Sequence, residues 1–186
     1  MVRTAFFPLL IAVAAPCQAP RAAPTPTAYD ARHALDDRVS VVEQQVVPAA
    51  EAMPDSLYGY APTGGAFGGV RTFGEQLKHL AASNWQIGSK VLGAAPPAGT
   101  HDEMAPPTIK TKAQIVAYVR GSFDCLHRAI ATIDERNLMQ PIDGLTGTWE
   151  RTRLGLLVDA IAHASDHYGQ IVEYLRANGF VPPASR

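Results

Sequence analysis

Apolar residues recur at spacings of three and four in four separate segments of this sequence, and no other feature limits the fold as strongly. In the first segment they are Leu35, Val39, Val42 and Val46. Side chains at these spacings share one face of an α-helix, whereas the side chains of a half-buried strand alternate every second residue. Asp30 precedes the segment and is a good N-cap residue, so we predict a first helix that begins near it.

The second and third segments each begin with the residue pair of a capping box. Thr72 is followed three residues later by Glu75, and Thr111 by Gln114. The apolar faces that follow comprise Phe73, Leu77, Leu80, Ala81 and Trp85 in the second segment and Ile115, Val119, Phe123, Leu126, Ile130 and Ile133 in the third. We therefore predict a second helix that ends near Leu92 and a third that follows Thr111.

The fourth segment is the longest and extends from about residue 151 to residue 177. Its apolar face comprises Leu154, Leu157, Ile161, Ala164, Tyr168, Ile171 and Leu175. Asn178 and Gly179 predict the end of this helix, and two prolines follow at 182 and 183. Tyr168 is interpreted as a packing residue, and Gly169 as a position where another helix approaches closely.

These four segments predict an all-α fold. Four helices of roughly 20–27 residues bury their apolar faces most simply as a four-helix bundle. Two long loops rich in proline and glycine connect them, at residues 54–69 and 93–107. Because long connections allow the chain to cross the bundle, the pattern leaves the order of the helices open. A chain of 186 residues has the size of one domain.

The N-terminus has the composition of a signal peptide. Arg3 precedes an apolar run over residues 5–15, which is too short to span a bilayer. We expect a signal peptide at residues 1–19, with cleavage after Ala15 or Ala19 left open, a linker at 20–29 and the bundle domain at 30–183. A lipid anchor on Cys17 and an apolar N-terminal helix are the alternatives. The protein is therefore expected to be exported, periplasmic or secreted, without stable membrane insertion after cleavage.

The charge balance argues against a nucleic-acid partner. Sixteen basic residues stand against 17 acidic residues, and the sequence contains no basic run. The two cysteines, Cys17 and Cys125, cannot form a disulfide framework or a CxxC metal site. We expect Cys125 to be a small buried residue of the third helix rather than a nucleophile.

Three of the six histidines form a candidate metal site. His163 and His167 are four residues apart on the fourth helix, so their rings leave the same face at the edge of the apolar stripe. His79, beside the core residue Leu80 of the second helix, is the best candidate for a third ligand. The alternative interpretation of the His163 and His167 pair is exposed helical histidines, and that of His79 is a core-edge histidine hydrogen-bonded to a neighbour. His33, His101 and His127 have no partner pattern and are expected to be solvated or boundary residues.

Three protein ligands leave one position of a metal open. Such an ion can activate water or a thiol, because it favours the bound anion near neutral pH. Other metal chemistries fail on spacing: the residue after His163 is Ala164, which excludes an HExxH motif, and Glu75 lies four rather than three residues before His79. The sequence also contains no CxxCH motif for covalent haem.

The segment HASDHYGQIVEYLRANGFVPP at residues 163–183 resembles the last helix of the DinB-like superfamily. The stretch from Thr72 to Trp85, which contains TFGEQLKHL, is similar to the second helix of that family, and residues 52–62 are similar to its first loop. The superfamily includes metal hydrolases of the YfiT type and transferases that use bacillithiol or mycothiol. The resemblance implies a four-helix bundle, a homodimer, and a zinc or nickel ion bound by His79, His163 and His167.

We therefore expect an exported DinB-like protein that binds a divalent metal and acts as a hydrolase or transferase on a small molecule. Export puts a cytosolic thiol cofactor in doubt. The alternative is a non-catalytic metal-binding or stress-related bundle in which the ion holds helices together. An interaction module without a metal is a third class.

Overall fold

The computed structural model describes residues 29–142 and 151–186. The four predicted helices are all present, as α1 (Ala31–Ala52), α2 (Phe73–Leu92), α3 (Lys112–Ala131) and α4 (Arg153–Ala177). The all-α fold class is confirmed. The predicted signal peptide and all but the last residue of the predicted linker lie outside the described residues. No helix in the described ranges is both long and apolar enough to cross a membrane.

Local hydrogen bonds fix where the helices begin. The Asp30 side chain accepts a hydrogen bond from the backbone N–H of His33 and so caps α1. Both capping boxes form, with Thr72 and Glu75 at the start of α2 and Thr111 and Gln114 at the start of α3. These bonds satisfy N–H groups that the first turn of a helix leaves free.

The helices form a bundle in which successive helices are not always neighbours. Among the described residues the main contacts join α2 to α3, α1 to α3, α1 to α4 and α2 to α4. Helix α1 is therefore diagonal to α2, and the loop between them crosses the bundle. A plain up-down arrangement would place α1 beside α2. This order puts α2 and α4, which bear the three candidate ligands, side by side.

The buried faces of α1, α2 and α3 largely match the predicted stripes. The buried face of α4 differs from its predicted stripe: Leu154, Ile161 and Tyr168 are only half-buried, whereas the buried residues include Leu156, Ala160, His167 and Tyr174. The largest fully buried side chains include Phe73, Leu77, Phe123, Leu126, Leu157 and Ile171. Two short strands, β1 (Pro141–Ile142) and β2 (Arg151–Thr152), pair antiparallel before α4. Two residues are too few to show strand alternation, so the sequence pattern could not reveal this pair. Helix α4 begins accordingly at Arg153, two residues later than predicted.

Glycine allows close packing at a different place from the one predicted. An added Cβ at Gly169 would meet nothing within 4 Å, so the interpretation of this residue as a close helix contact is wrong. At Gly88 of α2, by contrast, an added Cβ would lie 2.7 Å from Sγ of Cys125 and 3.2 Å from its carbonyl oxygen. Cys125 is buried as predicted, and burial raises the pKa of its thiol.

Alanine substitutions at these two glycines should have opposite effects. Gly88→Ala forces α2 away from the α3 backbone, and we expect it to lower the free energy of unfolding by about 1–3 kcal/mol. Gly169→Ala removes backbone freedom of the unfolded chain at an exposed position of α4 and should raise the free energy of unfolding by about 0.5–1 kcal/mol. Urea denaturation measures the change in the free energy of unfolding of each variant. Equal changes in both variants would contradict the packing described for Gly88.

His127 of α3 joins two carboxylates of α1. Its Nδ1 lies 2.6 Å from Oδ1 of Asp36, and its Nε2 lies 3.1 Å from Oε2 of Glu43. Burial alone would lower the pKa of His127, but the hydrogen bonds to Asp36 and Glu43 outweigh it and raise the pKa above its ordinary value. His127 is thus a boundary residue, as predicted, with partners that the sequence did not indicate.

This bridge should make stability depend on pH. The pKa of His127 is higher in the folded state than in the unfolded state. Its contribution to the free energy of unfolding is therefore fully present below the unfolded pKa of about 6.5 and is lost as pH rises through the folded pKa. We expect wild type to exceed His127→Gln by about 1–2 kcal/mol at pH 6, with the difference shrinking towards pH 9. Denaturation across this pH range measures the difference in free energy of unfolding, with His101→Gln as a surface control. A constant difference would exclude a protonated bridge.

Candidate metal centre

Helices α2 and α4 bring the three predicted histidines together. The Nε2 atom of His163 lies 3.1 Å from Nε2 of His79 and 3.1 Å from Nε2 of His167. His79 and His167 are buried and His163 is half-buried. Residues on separate helices and 84 positions apart thus present the same ring nitrogen to one point. In the part of the chain that the structure describes, they form the one group of three metal-ligating side chains close enough to share an ion.

A backbone carbonyl orients the His79 ring. Its Nδ1 lies 3.2 Å from the carbonyl oxygen of Glu103, an acceptor, so Nδ1 bears the hydrogen and Nε2 presents a lone pair. This is the arrangement usual for metal-ligating histidines, whose second nitrogen donates to a carbonyl or carboxylate. The sequence folds this way because the loop after α2 returns along the helix at residues 101–104.

Burial keeps the three rings neutral. It is the largest cause that lowers the pKa of His79, with the charge of Arg71 next. Burial followed by the charge of His79 lowers the pKa of His163, and burial followed by the charges of His163 and His79 lowers that of His167 to about 4. Neutral imidazole is the form that binds metals, so near neutral pH no proton has to leave before binding.

The nitrogen cluster fits a cation better than it fits a hydrogen-bond network. Nε2 of His163 lies 3.1 Å from two other nitrogens, but it can carry only one hydrogen and so donate to only one of them. Nε2 of His79 presents a lone pair and has no hydrogen to donate. One shared ion would satisfy all three lone pairs. Two nitrogens that each lie about 2.0–2.1 Å from a tetrahedral zinc ion are about 3.3–3.4 Å apart, which is close to the observed distances. The group could therefore hold a metal ion.

An amide contact ties the two ligand-bearing helices together beside the cluster. Nε2 of Gln76, on α2, donates to Oε1 of Gln170, on α4, over 2.7 Å. Gln170 in turn donates to Oδ2 of Asp166 over 3.0 Å. Gln76 lies three residues before His79, and Gln170 lies three residues after His167, so each is next to the histidine cluster on its helix. This contact fixes the register of α2 against α4.

A cleft adjoins His79 on its open side. The cavity measures about 470 Å³ and is lined by loop residues before α2, by the first turns of α2 and by residues 102–105. Arg71 and Lys78 contribute positive charge to its lining, and Glu75, Asp102 and Glu103 contribute negative charge. A small molecule could thus approach the nitrogen cluster from this cleft.

The remaining candidate residues lie apart from the cluster. His33 and His101 are exposed and contact Asp30 and Asp102 respectively, as solvated residues would. Tyr168 packs against the core, as predicted. The sequence analysis missed Gln76 and Glu103. The spacing of three residues between Gln76 and His79 could have indicated Gln76. Glu103 lies in a loop, where no periodic pattern predicts which residues come close to the site.

Comparison with known proteins shows the family. The model of the DinB superfamily matches residues 38–171, and the chain belongs to this superfamily. A crystal structure described as the conserved protein of locus from Enterococcus faecalis has the same fold, with a TM-score of 0.65 and 19% sequence identity. The similarity covers 80% of this chain and 97% of that chain. A search of curated proteins finds no match to the sequence.

Substitution of each ligand should remove the metal. We expect His79→Ala and His167→Ala each to lower zinc affinity about 100-fold or more, because two imidazoles remain at a site built for three. His33→Ala and His101→Ala, which alter exposed histidines, are matched controls and should bind as wild type does. Competition with a chromophoric chelator measures affinity. Equal affinity in all four variants would rule out the three-histidine site.

Proposed function

We propose that this protein binds one divalent ion, zinc or nickel, through His79, His163 and His167 and uses it in hydrolysis or group transfer on a small molecule. The observation that carries the proposal is the convergence of three Nε2 atoms, all on buried or half-buried neutral rings, beside an open cleft. Membership of the DinB superfamily supports it, because the family resemblance implies the same three ligands.

The chemistry follows from three ligands and an open position. When bound at such a site, a divalent ion lowers the pKa of a coordinated water or thiol by several units and so supplies a nucleophile near neutral pH. The protein's part is to hold the imidazoles in place. The carbonyl of Glu103 orients His79, and the contact between Gln76 and Gln170 keeps α2 and α4 in register.

The size of the cleft supports a small-molecule substrate. A cavity of about 470 Å³ lies within the size range of small-molecule sites. Its lining contains side chains of both charge signs, which suits a polar rather than a purely apolar substrate. We expect water rather than a cytosolic low-molecular-weight thiol to be the nucleophile if the protein is exported, because those thiols act inside the cell.

A structural role for the ion is the second candidate. The ligands come from two neighbouring helices, so a bound ion would cross-link α2 and α4 whatever else it did. An ion bound only to the folded state raises the melting temperature in either case. Turnover therefore separates the two functions, and stabilisation alone does not.

Zinc titration with a parallel activity screen tests the proposal. We expect one ion per chain by calorimetry, a rise in melting temperature of several degrees, and turnover of at least one class among esters, amides and thiol conjugates. His163→Ala should lose all three effects. One bound ion and a higher melting temperature without any turnover would support the structural role, and no bound ion would refute both metal functions.

Export has a separate test. We propose that residues 1–19 direct the chain out of the cytoplasm and are then removed, as the composition of this segment suggests. Intact-mass measurement of protein from the periplasm or medium should give a chain that lacks the first 15 or 19 residues. Recovery of the full chain from the cytoplasm would contradict export.

A further inference from the structure

A carboxylate lies beside one of the three imidazoles, that of His79. Oε2 of Glu103 lies 3.6 Å from Nε2 of His79, the nitrogen that faces the other two histidines. Glu103 is located in the loop between α2 and α3, so its side chain comes from a segment outside the two helices that bear the histidines. Among side chains that the structure describes, no lysine or arginine lies within ion-pair distance of this carboxylate.

The backbone holds Glu103 in this place at a conformational cost. Asp102 and Glu103 both have positive φ, 45° and 58°, at the centre of a turn closed by hydrogen bonds between His101 and Met104. Glycine or asparagine is usual at the second of these positions, and glutamate is strained there. In the orientation that satisfies both groups, the Gln86 amide oxygen accepts from the N–H of Glu103 at 2.8 Å and of Asp102 at 3.3 Å.

The charges around the cleft explain what the carboxylate can do. Three neutral imidazoles do not balance the positive charge of a divalent ion. The positive charge of Arg71 acts on all three rings and disfavours a cation at the histidine cluster. A carboxylate on the cleft side supplies the missing negative charge. Carboxylate oxygen joins imidazole nitrogen in many sites for zinc and related ions.

From this geometry we propose that Glu103 is a fourth protein ligand of the divalent ion, bound through a carboxylate oxygen. The inference rests on the proposed metal site and extends its donor set from three nitrogens to three nitrogens and one oxygen. An ion that accepts five or six ligands would still have room for water or substrate.

Two variants of Glu103 separate the ligand role from folding. Glu103→Gln keeps the size of the side chain and removes its charge. Glu103→Gly removes the carboxylate and also relieves the positive φ, so the metal-free protein should melt at a higher temperature than wild type. We nevertheless expect both variants to bind zinc about 10-fold or more weakly than wild type in chelator competition. Their cobalt(II) forms should also show a changed visible absorption spectrum, since the donor set changes.

Asp102→Asn is the matched control. Asp102 is the neighbouring residue of the same turn, and its side chain is 85% exposed and directed to His101. This variant should keep the zinc affinity and cobalt spectrum of wild type. Wild-type affinity and spectrum in both Glu103 variants would overturn the fourth-ligand role and leave the three-histidine site intact. Failure of wild type itself to bind zinc would instead refute the proposed function.

Discussion

The packing of α2 against α4 is the interaction on which the candidate site depends. His79 belongs to one helix and His163 and His167 to the other, so a shift of one helical turn, about 5.4 Å, would separate the nitrogens beyond the reach of a single ion. Buried apolar faces bring the helices together, and the contact between Gln76 and Gln170 selects the register. The arrangement in which α1 lies diagonal to α2 leaves α2 and α4 adjacent.

The site concentrates features that are unfavourable for folding alone. Three imidazole nitrogens face one another, and the Nδ1 atoms of His163 and His167 are buried without a hydrogen-bond partner among the residues that the structure describes. Buried polar groups without partners destabilise a fold, as does the positive φ of Glu103. A bound ion would compensate for part of this, because its binding free energy adds to that of the folded state. The proposed metal role thus gives a physical reason for the facing Nε2 atoms.

Much of this architecture could be predicted from the sequence. Spacings of three and four predicted each helix, and the capping pairs Thr72 with Glu75 and Thr111 with Gln114 predicted where α2 and α3 begin, because both signals are local. The His163 and His167 pair is local too, and the structure brings His79 to it. The order of the helices, the bridge from His127 to α1 and the place of Glu103 depend on contacts between distant segments, which no local pattern encodes. Gly169 shows the same limit, since its surroundings depend on which helix faces it.

The most direct test of this account is a crystal structure of the zinc-loaded protein with anomalous diffraction at the zinc edge. The account predicts one strong anomalous peak between α2 and α4, with Nε2 of His79, His163 and His167 each about 2.0–2.1 Å from the ion. A peak elsewhere, or an ion bound by only two of these imidazoles, would contradict it.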